Sequence, residues 1–289
     1  MLRDRFQRKL ALFFTALVAV VQIAALVAVV VATNRNVAER VEEELAVGAR
    51  VVARTLEQRS RQLLQSVRVL TDDFGFKRAV ATGDHPTIRS ALGNHAARID
   101  ADMAAVLERD GAVRAGTLAA IDRGDRFPLG DLLARAVEAG EAVGFGVIDG
   151  RAYQLVIVPV RAPTAVAWAC LGFAVDDALA GELARLTQAE VSFQRPRGPG
   201  TRILATSLAS TEAAIEPRAP ADDGGTNGEL GAVRTAGGDG EQHLVTTRAL
   251  TDDGGGQLVA TLQIPLAAAL APYEPLKQRL LLLAVLALG

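Results

Sequence analysis

LTDDFGFKRAVATGDHPTIRSALGNHAARIDADM, residues 70–103, holds two of the chain's three histidines among arginines, aspartates and an asparagine. Its reading turns on Ala81-Thr82-Gly83-Asp84-His85, where a helical pattern breaks. Pro86 opens a second helix, because its missing N–H costs nothing there and its φ is already helical. Pro86 also disfavours the α region for His85, which makes His85 a boundary or cap residue. In that second helix Ile88, Leu92, His95 and Ile99 share a face, with Arg98 flanking it. His95 is therefore buried or pocket-facing. A helix pair of this kind is suited to covering a sheet.

Upstream, Val37, Val41, Leu45, Gly48, Val52, Leu56, Leu63, Val67 and Leu70 recur at steps of three and four, with Arg59 filling the one missing step. This spacing predicts a single apolar stripe on a helix about 50 Å long. Strict heptads are absent, so the stripe can pack on its own domain, on a second copy, or on both. Further upstream, Leu10 to Ala32 is apolar except for Thr15 and Gln22, long enough to cross a hydrocarbon core of about 30 Å. Arg3, Arg5, Arg8 and Lys9 precede it and hold the N-terminus in the cytoplasm by the positive-inside rule. The run exceeds the apolar region of a cleaved signal peptide, so an uncleaved anchor is expected.

Downstream the period changes to two. MAAVLERDGAVRAGT predicts a hairpin turning at Asp110-Gly111, and GFGVIDGRAYQLVIVPV one turning at Asp149-Gly150. TAVAWACLGFAV supplies a third strand, and Asp176 or Asp177 caps a short helix that returns to EVSFQ. From Arg195 the chain is rich in Pro, Gly and Asp, with strands only at RILATSL, HLVTTRAL and QLVATLQI. Pro265 begins a helix leading to LKQRLLLLAVLALG, which reads as the start of a second span.

The expected fold class is α+β: a long N-terminal helix plus two PAS-like modules with antiparallel sheets, flanked by transmembrane helices. The expected order is a cytoplasmic tail (1–9), a transmembrane helix (10–33), a juxtamembrane helix (34–72), a membrane-distal module (73–193), a membrane-proximal module (194–264), and an exit helix with the start of a second span (265–289). Residues 34–275 are then periplasmic, on a protein of the inner membrane.

Composition narrows function further. Half of the 289 residues are hydrophobic, only 4% are aromatic, and the net charge is −2, so no basic surface marks a nucleic-acid partner. The single cysteine, Cys170, lies in an apolar run and reads as a small buried hydrophobe. His85 and His95 are ten residues apart, His243 is far away, and no HExxH or cysteine pair exists, so neither metal nor cofactor is expected. No GxSxG elbow or nucleophile–base set can be assembled. The pairs Asp72-Asp73, Asp222-Asp223 and Asp252-Asp253 read as solvated loops or turns. GGDGEQ (237–242) lacks the second half of the GG(D/E)EF signature and reads as a hairpin turn. The candidate site is a ligand pocket between the second helix and the meander. His95 and Arg98 would serve it from the helix; Tyr153, Trp168 and Arg126 would serve it from the sheet side.

TDDFGFKRAVATGDHPTIRSALGNHAARIDADMAAVLERDG resembles the start of a double Cache (dCache) sensory domain. AEVSF, TRILATSL and LVATLQIPLAAALAPYEPLKQRLLLL are similar to that family's second module and exit helix. The resemblance implies two Cache modules between membrane spans and, as the stimulus, a small-molecule ligand or an envelope condition. It also implies a homodimer, and a cytoplasmic output such as c-di-GMP turnover or a histidine kinase. It implies no catalysis within these residues. The Tyr, Arg, Trp and Asp motif of amino-acid-binding members does not lay onto this chain, so amino-acid recognition is not implied. A membrane-anchored adaptor is the alternative, and a periplasmic enzyme a more distant one.

Overall fold

The computed structural model describes residues 2–162, 164–197, 200–209, 215, 233–237, 242–250, 258–275, 278, 279 and 282. Two compact units are distinguished: Met1–Glu44, Thr235–Leu244 and Ile264–Gly289 form one, and Leu45–Arg234 with Val245–Gln263 the other. The second span expected after Arg279, the 237–242 turn and two of the Asp pairs lie mostly or wholly outside the described residues.

The first helix, α1 (Leu2–Asp72), is continuous. It contains no proline and only one glycine, Gly48, and exposed pairs Arg35–Glu39, Arg40–Glu44 and Glu57–Arg61 link successive turns. Over Ala16–Asp72 it holds a window long and apolar enough to cross a membrane, with Val18, Val20, Val21 and Ile23 exposed. The predicted stripe is observed: Val37, Val41, Leu45, Val52, Leu56, Val67 and Leu70 are buried.

Two short helices follow, α2 (Phe74–Thr82) and α3 (His85–Arg98). Asp73 caps α2 by accepting from the Phe76 N–H at 2.8 Å, and Gly83 closes it in the left-handed region. Asp84 caps α3, accepting from the Thr87 N–H and hydroxyl at 3.1 and 2.6 Å. His85 is thus the first residue of α3 rather than its cap, because the Asp84 carboxylate fills that role.

Strands β1 (Met103–Leu107), β2 (Val113–Gly116), β3 (Ala142–Ile148), β4 (Arg151–Arg161) and β5 (Ala165–Ala174) form one antiparallel sheet in the order β2-β1-β5-β4-β3. Asp149 and Gly150 both have positive φ, as a tight β3–β4 hairpin turn requires. Between β2 and β3 lies α4 (Gly130–Ala139). Both faces of the sheet are apolar. Val156, Val158 and Val160 of β4 meet α1, α2 and α3 through Val67, Phe76 and Leu92. Tyr153, Leu155 and Ile157 alternate to the other face, with Ile121, Phe127, Leu129 and Leu132. The approach there is close enough that a Cβ on Gly116 would overlap the Ile121 carbonyl oxygen.

Helix α5 (Asp177–Thr187), capped by Asp176, connects to the second sheet. That sheet comprises β6 (Glu190–Arg197), β7 (Gly200–Thr206), β8 (Arg234–Ala236), β9 (His243–Ala249) and β10 (Val259–Pro265), in the order β7-β6-β10-β9-β8. The boundary expected at 193/194 falls inside β6; the sheets change at α5, which packs on β6 and β7. Gly48 lets α1 cross closely here, its Cα facing Thr187 and Leu262. Phe193 pairs with Ala260 and Val191 with Leu262, whereas Ser192 pairs with Thr261 and Thr206 on the opposite, polar face. After β10 come α6 (Leu266–Leu270) and a 3-10 turn at Ala271–Tyr273, the helix start expected at Pro265.

Candidate functional site

The five residues nominated by sequence fall in four places. His95 and Arg98 are together at the end of α3. The His95 ring meets Phe76 edge-on, with centroids 5.2 Å apart, and its Nε2 lies 3.8 Å from Asp73 Oδ1. Burial holds the imidazole below its ordinary pKa; Asp73 opposes this shift and the exposed Arg98 adds to it. Arg126 is exposed in the segment between β2 and α4, donating to the Asp110 carbonyl at 3.1 Å. Tyr153 and Trp168 are buried on the sheet face opposite α3. Trp168 lies across from Pro159, six residues along β4 from Tyr153, a separation of about 20 Å. The sheet itself thus divides these residues into separate neighbourhoods, and only His95 and Arg98 are brought together.

His85, the other histidine of the opening stretch, is structural in its contacts. Its Nε2 lies 2.9 Å from Asp122 Oδ1, and Arg89 donates to Asp122 Oδ2 at 3.1 Å. This pins the segment after β2 to α3 and holds the Asp122 carboxyl below the usual range, the His85 contact being the largest cause. Among the described residues no three His, Cys, Asp or Glu side chains converge on a position that could hold a metal ion. Cys170 is buried in the sheet, and burial pushes its thiol far up.

A cavity of about 670 Å³ opens elsewhere, where α1, α5 and the margin of the first sheet meet. Helix α1 contributes Gln58, Arg59 and Gln62. Asp102, just before β1, and Asp176, just after β5, flank the sheet margin, and α5 adds Glu182 and Arg185. Two of the carboxylates are fixed by the backbone: Asp102 accepts from the Ala174 N–H at 2.6 Å, and Asp176 from the Leu179 N–H at 3.0 Å. Arg59 is half-buried, while the other four charged groups are exposed. Burial lowers the Arg59 pKa, with the charges of Asp176, Glu182 and Asp102 in partial opposition.

Next to it, Gln154 of β4 is fully buried and donates to Ser60 Oγ at 2.7 Å and to the Leu56 carbonyl at 3.3 Å. The first sheet is thereby hydrogen-bonded to the turn of α1 that carries Arg59. Sequence reasoning met Arg59 only as the missing step of the apolar stripe. That gap was the signal: a charge where the pattern requires burial stands against a cavity rather than against core.

The chain thus combines a long helix, two sheets of like strand order and a polar cavity between α1, α5 and the margin of the first sheet. The chain belongs to the dCache_3 family, described as the double sensory domain of two-component sensor kinase, whose model matches residues 38–262. Solved structures agree in fold. The ligand-binding domain of the Campylobacter jejuni chemoreceptor Tlp3 with 4-methylisoleucine has a TM-score of 0.50 at 11% identity, over 81% of this chain and 94% of that one. The sensory domain of the same receptor gives 0.50 at 11%, over 83% and 98%. At such identities the likeness concerns the fold alone. A search of curated proteins finds no match.

Proposed function

We propose that this chain is the extracytoplasmic sensory region of a transmembrane signalling protein. It binds a small ligand and passes a conformational change to a cytoplasmic output, either c-di-GMP turnover or a histidine kinase. In this reading residues 10–33 cross the inner membrane, residues 34–275 are periplasmic, and the protein works as a homodimer. The carrying observation is the cavity between α1 and α5 in a chain of the double sensory family. Helix α1 lines it and is continuous with the candidate span, so a ligand there acts on the element that leads towards the membrane.

A ligand shifts such a device only by its difference in affinity for the two arrangements. Moving the population from 1:99 to 99:1 takes about 5.5 kcal/mol. The test is a melting-temperature screen of the full chain in lipid nanodiscs against a panel of small metabolites. Ligand at 100 times its Kd adds about 2.7 kcal/mol of stability, a readable shift. At least one compound should raise the melting temperature, and Glu182→Gln should reduce that rise. Loss in Arg98→Ala instead would place the ligand at the end of α3. A flat response across a broad panel would sink direct sensing and favour a membrane-anchored adaptor.

A further inference from the structure

The cavity at the junction of α1, α5 and the first sheet carries a chemical demand of its own. Arg59, Glu182 and Arg185 make no side-chain hydrogen bond and no ion pair within 4 Å among the described residues, although all three line one space. Three carboxylates, of Asp102, Asp176 and Glu182, and two guanidiniums, of Arg59 and Arg185, surround it. A half-buried guanidinium without a direct partner is costly, because desolvation is not recovered until a charge-assisted hydrogen bond forms.

The lining selects against singly charged molecules. A simple anion that reaches Arg59 meets three carboxylates, and a simple cation that reaches the carboxylates meets two guanidiniums. The carboxylates do not converge as a metal site. Asp102 and Asp176 each have one oxygen committed to a backbone N–H and the other left to accept. What satisfies both sets is a molecule with an anionic group for Arg59 and a cationic group, held apart from it, for the acids. Size adds a second condition. At about 670 Å³ the cavity, open to solvent and lined largely by exposed side chains, has room for more than a single small amino acid.

We infer that this junction is a binding site for zwitterions of peptide size, short peptides with free termini, seated with the carboxylate on Arg59 and the ammonium among Asp102, Asp176 and Glu182. The inference rests on the sensory reading above and specifies the ligand for it. Because α1 supplies the anion contact and α5, packed on the second sheet, supplies part of the cation contact, a bound peptide ties the two elements together. The ligand then reports the spacing of α1 and α5, the variable a two-module sensor must read.

The experiment is titration calorimetry on the full chain in nanodiscs with four probes: trialanine, its N-acetyl form, its C-terminal amide, and free alanine. Trialanine should bind, and each capped form should bind at least tenfold more weakly, since each loses one charged contact. Free alanine, which fills less of the cavity, should also be at least tenfold weaker. Arg59→Gln should weaken trialanine tenfold or more yet leave the amide unchanged, because the amide has no carboxylate to lose. Glu182→Gln, at an exposed position, should weaken trialanine and spare the N-acetyl form; it stands in should Arg59→Gln fail to fold.

Equal binding of capped and free peptide would overturn the inference, as would equal binding of alanine, or a loss in Arg59→Gln common to all probes. No binding by any peptide, while another compound of the metabolite panel raises the melting temperature, would overturn the peptide assignment and leave the sensor standing. No response to peptide or panel would overturn both.

Discussion

The two sheets follow one plan, with the second strand outermost and the last strand paired to the first at the centre, yet their buried faces differ. In the first sheet both faces are apolar but for Gln154, whose amide N–H groups bond α1 and whose Oε1 has no partner among the described residues: valines of β4 alternate with Tyr153, Leu155 and Ile157. In the second, Val191, Phe193, Ala260 and Leu262 make one apolar face, while the other buries Ser192, Gln194, Thr261 and Gln263. That polar face is partly satisfied. Gln194 donates to the Ile215 carbonyl and the Ile215 N–H donates to Gln263, both at 3.1 Å, but Gln194 Oε1 and Thr261 Oγ1 have no partner. Strand order is therefore independent of what the strands bury. The first sheet is held by close packing, and the second accepts a polar cost on one side.

The largest effect that would break this contrast belongs to the first sheet. Phe76, fully buried on the inner face of α2, should cost about 3–5 kcal/mol when cut to alanine. Chemical denaturation of the full chain reads this loss, and a change below 1 kcal/mol would mean the helix-covered face is not close-packed. Gly116→Ala comes next. The clash is with backbone at Ile121, which cannot rotate away, so a loss of about 1–3 kcal/mol is expected. Hydrogen exchange should show that loss in β1 and β2 and not in β6.

The second sheet should respond with the opposite sign. Thr261→Val removes a buried hydroxyl that has no partner, so stability should rise by about 1 kcal/mol. A fall of that size would show the hydroxyl to be engaged, and the contrast between the faces would weaken.

The smallest effect is a pH dependence. Burial holds His95 below its ordinary value, with Asp73 and Arg98 the charged groups facing it. Above the ordinary histidine range the ring is neutral in both states and contributes its full stability. As pH falls, the unfolded chain takes up the proton first, and stability is lost down through the folded pKa. His95→Asn should flatten the stability slope of the full chain between about pH 7 and pH 5, the histidine range. An unchanged slope would remove His95 from the account.

What the sequence revealed followed the same division. The first sheet was legible because its central strands are short apolar runs bounded by turn signals and both hairpin turns carry Asp-Gly. Helix α4 was not, since its N-terminal residue, Leu129, makes no side-chain cap and leaves no start signal. The module boundary was misplaced because β6 alternates like the strands before it, and α5 joins the sheets without a change of composition. The cavity was the least legible part. Arg59, Asp102, Asp176 and Glu182 are spread over more than a hundred residues and meet only when α1 and α5 are placed. Arg59 reads alone as a missing step in the stripe and Asp176 as a helix cap, and neither points to the other.

The position of β10 has a consequence for synthesis. The two apolar clusters of the first sheet reach no further along the chain than Phe173, so its core can close once α5 begins to emerge from the ribosome. The second sheet lacks its middle until β10 is made, because β10 lies between β6 and β9. At typical elongation rates of 5–20 residues per second, the interval between completing β5 and completing β10 is about 5–18 s. During that time β6 has one open edge, and Gly48 of α1, made long before, waits for Leu262. The second sheet is thus the last to assemble, after the strands of the first are all in place.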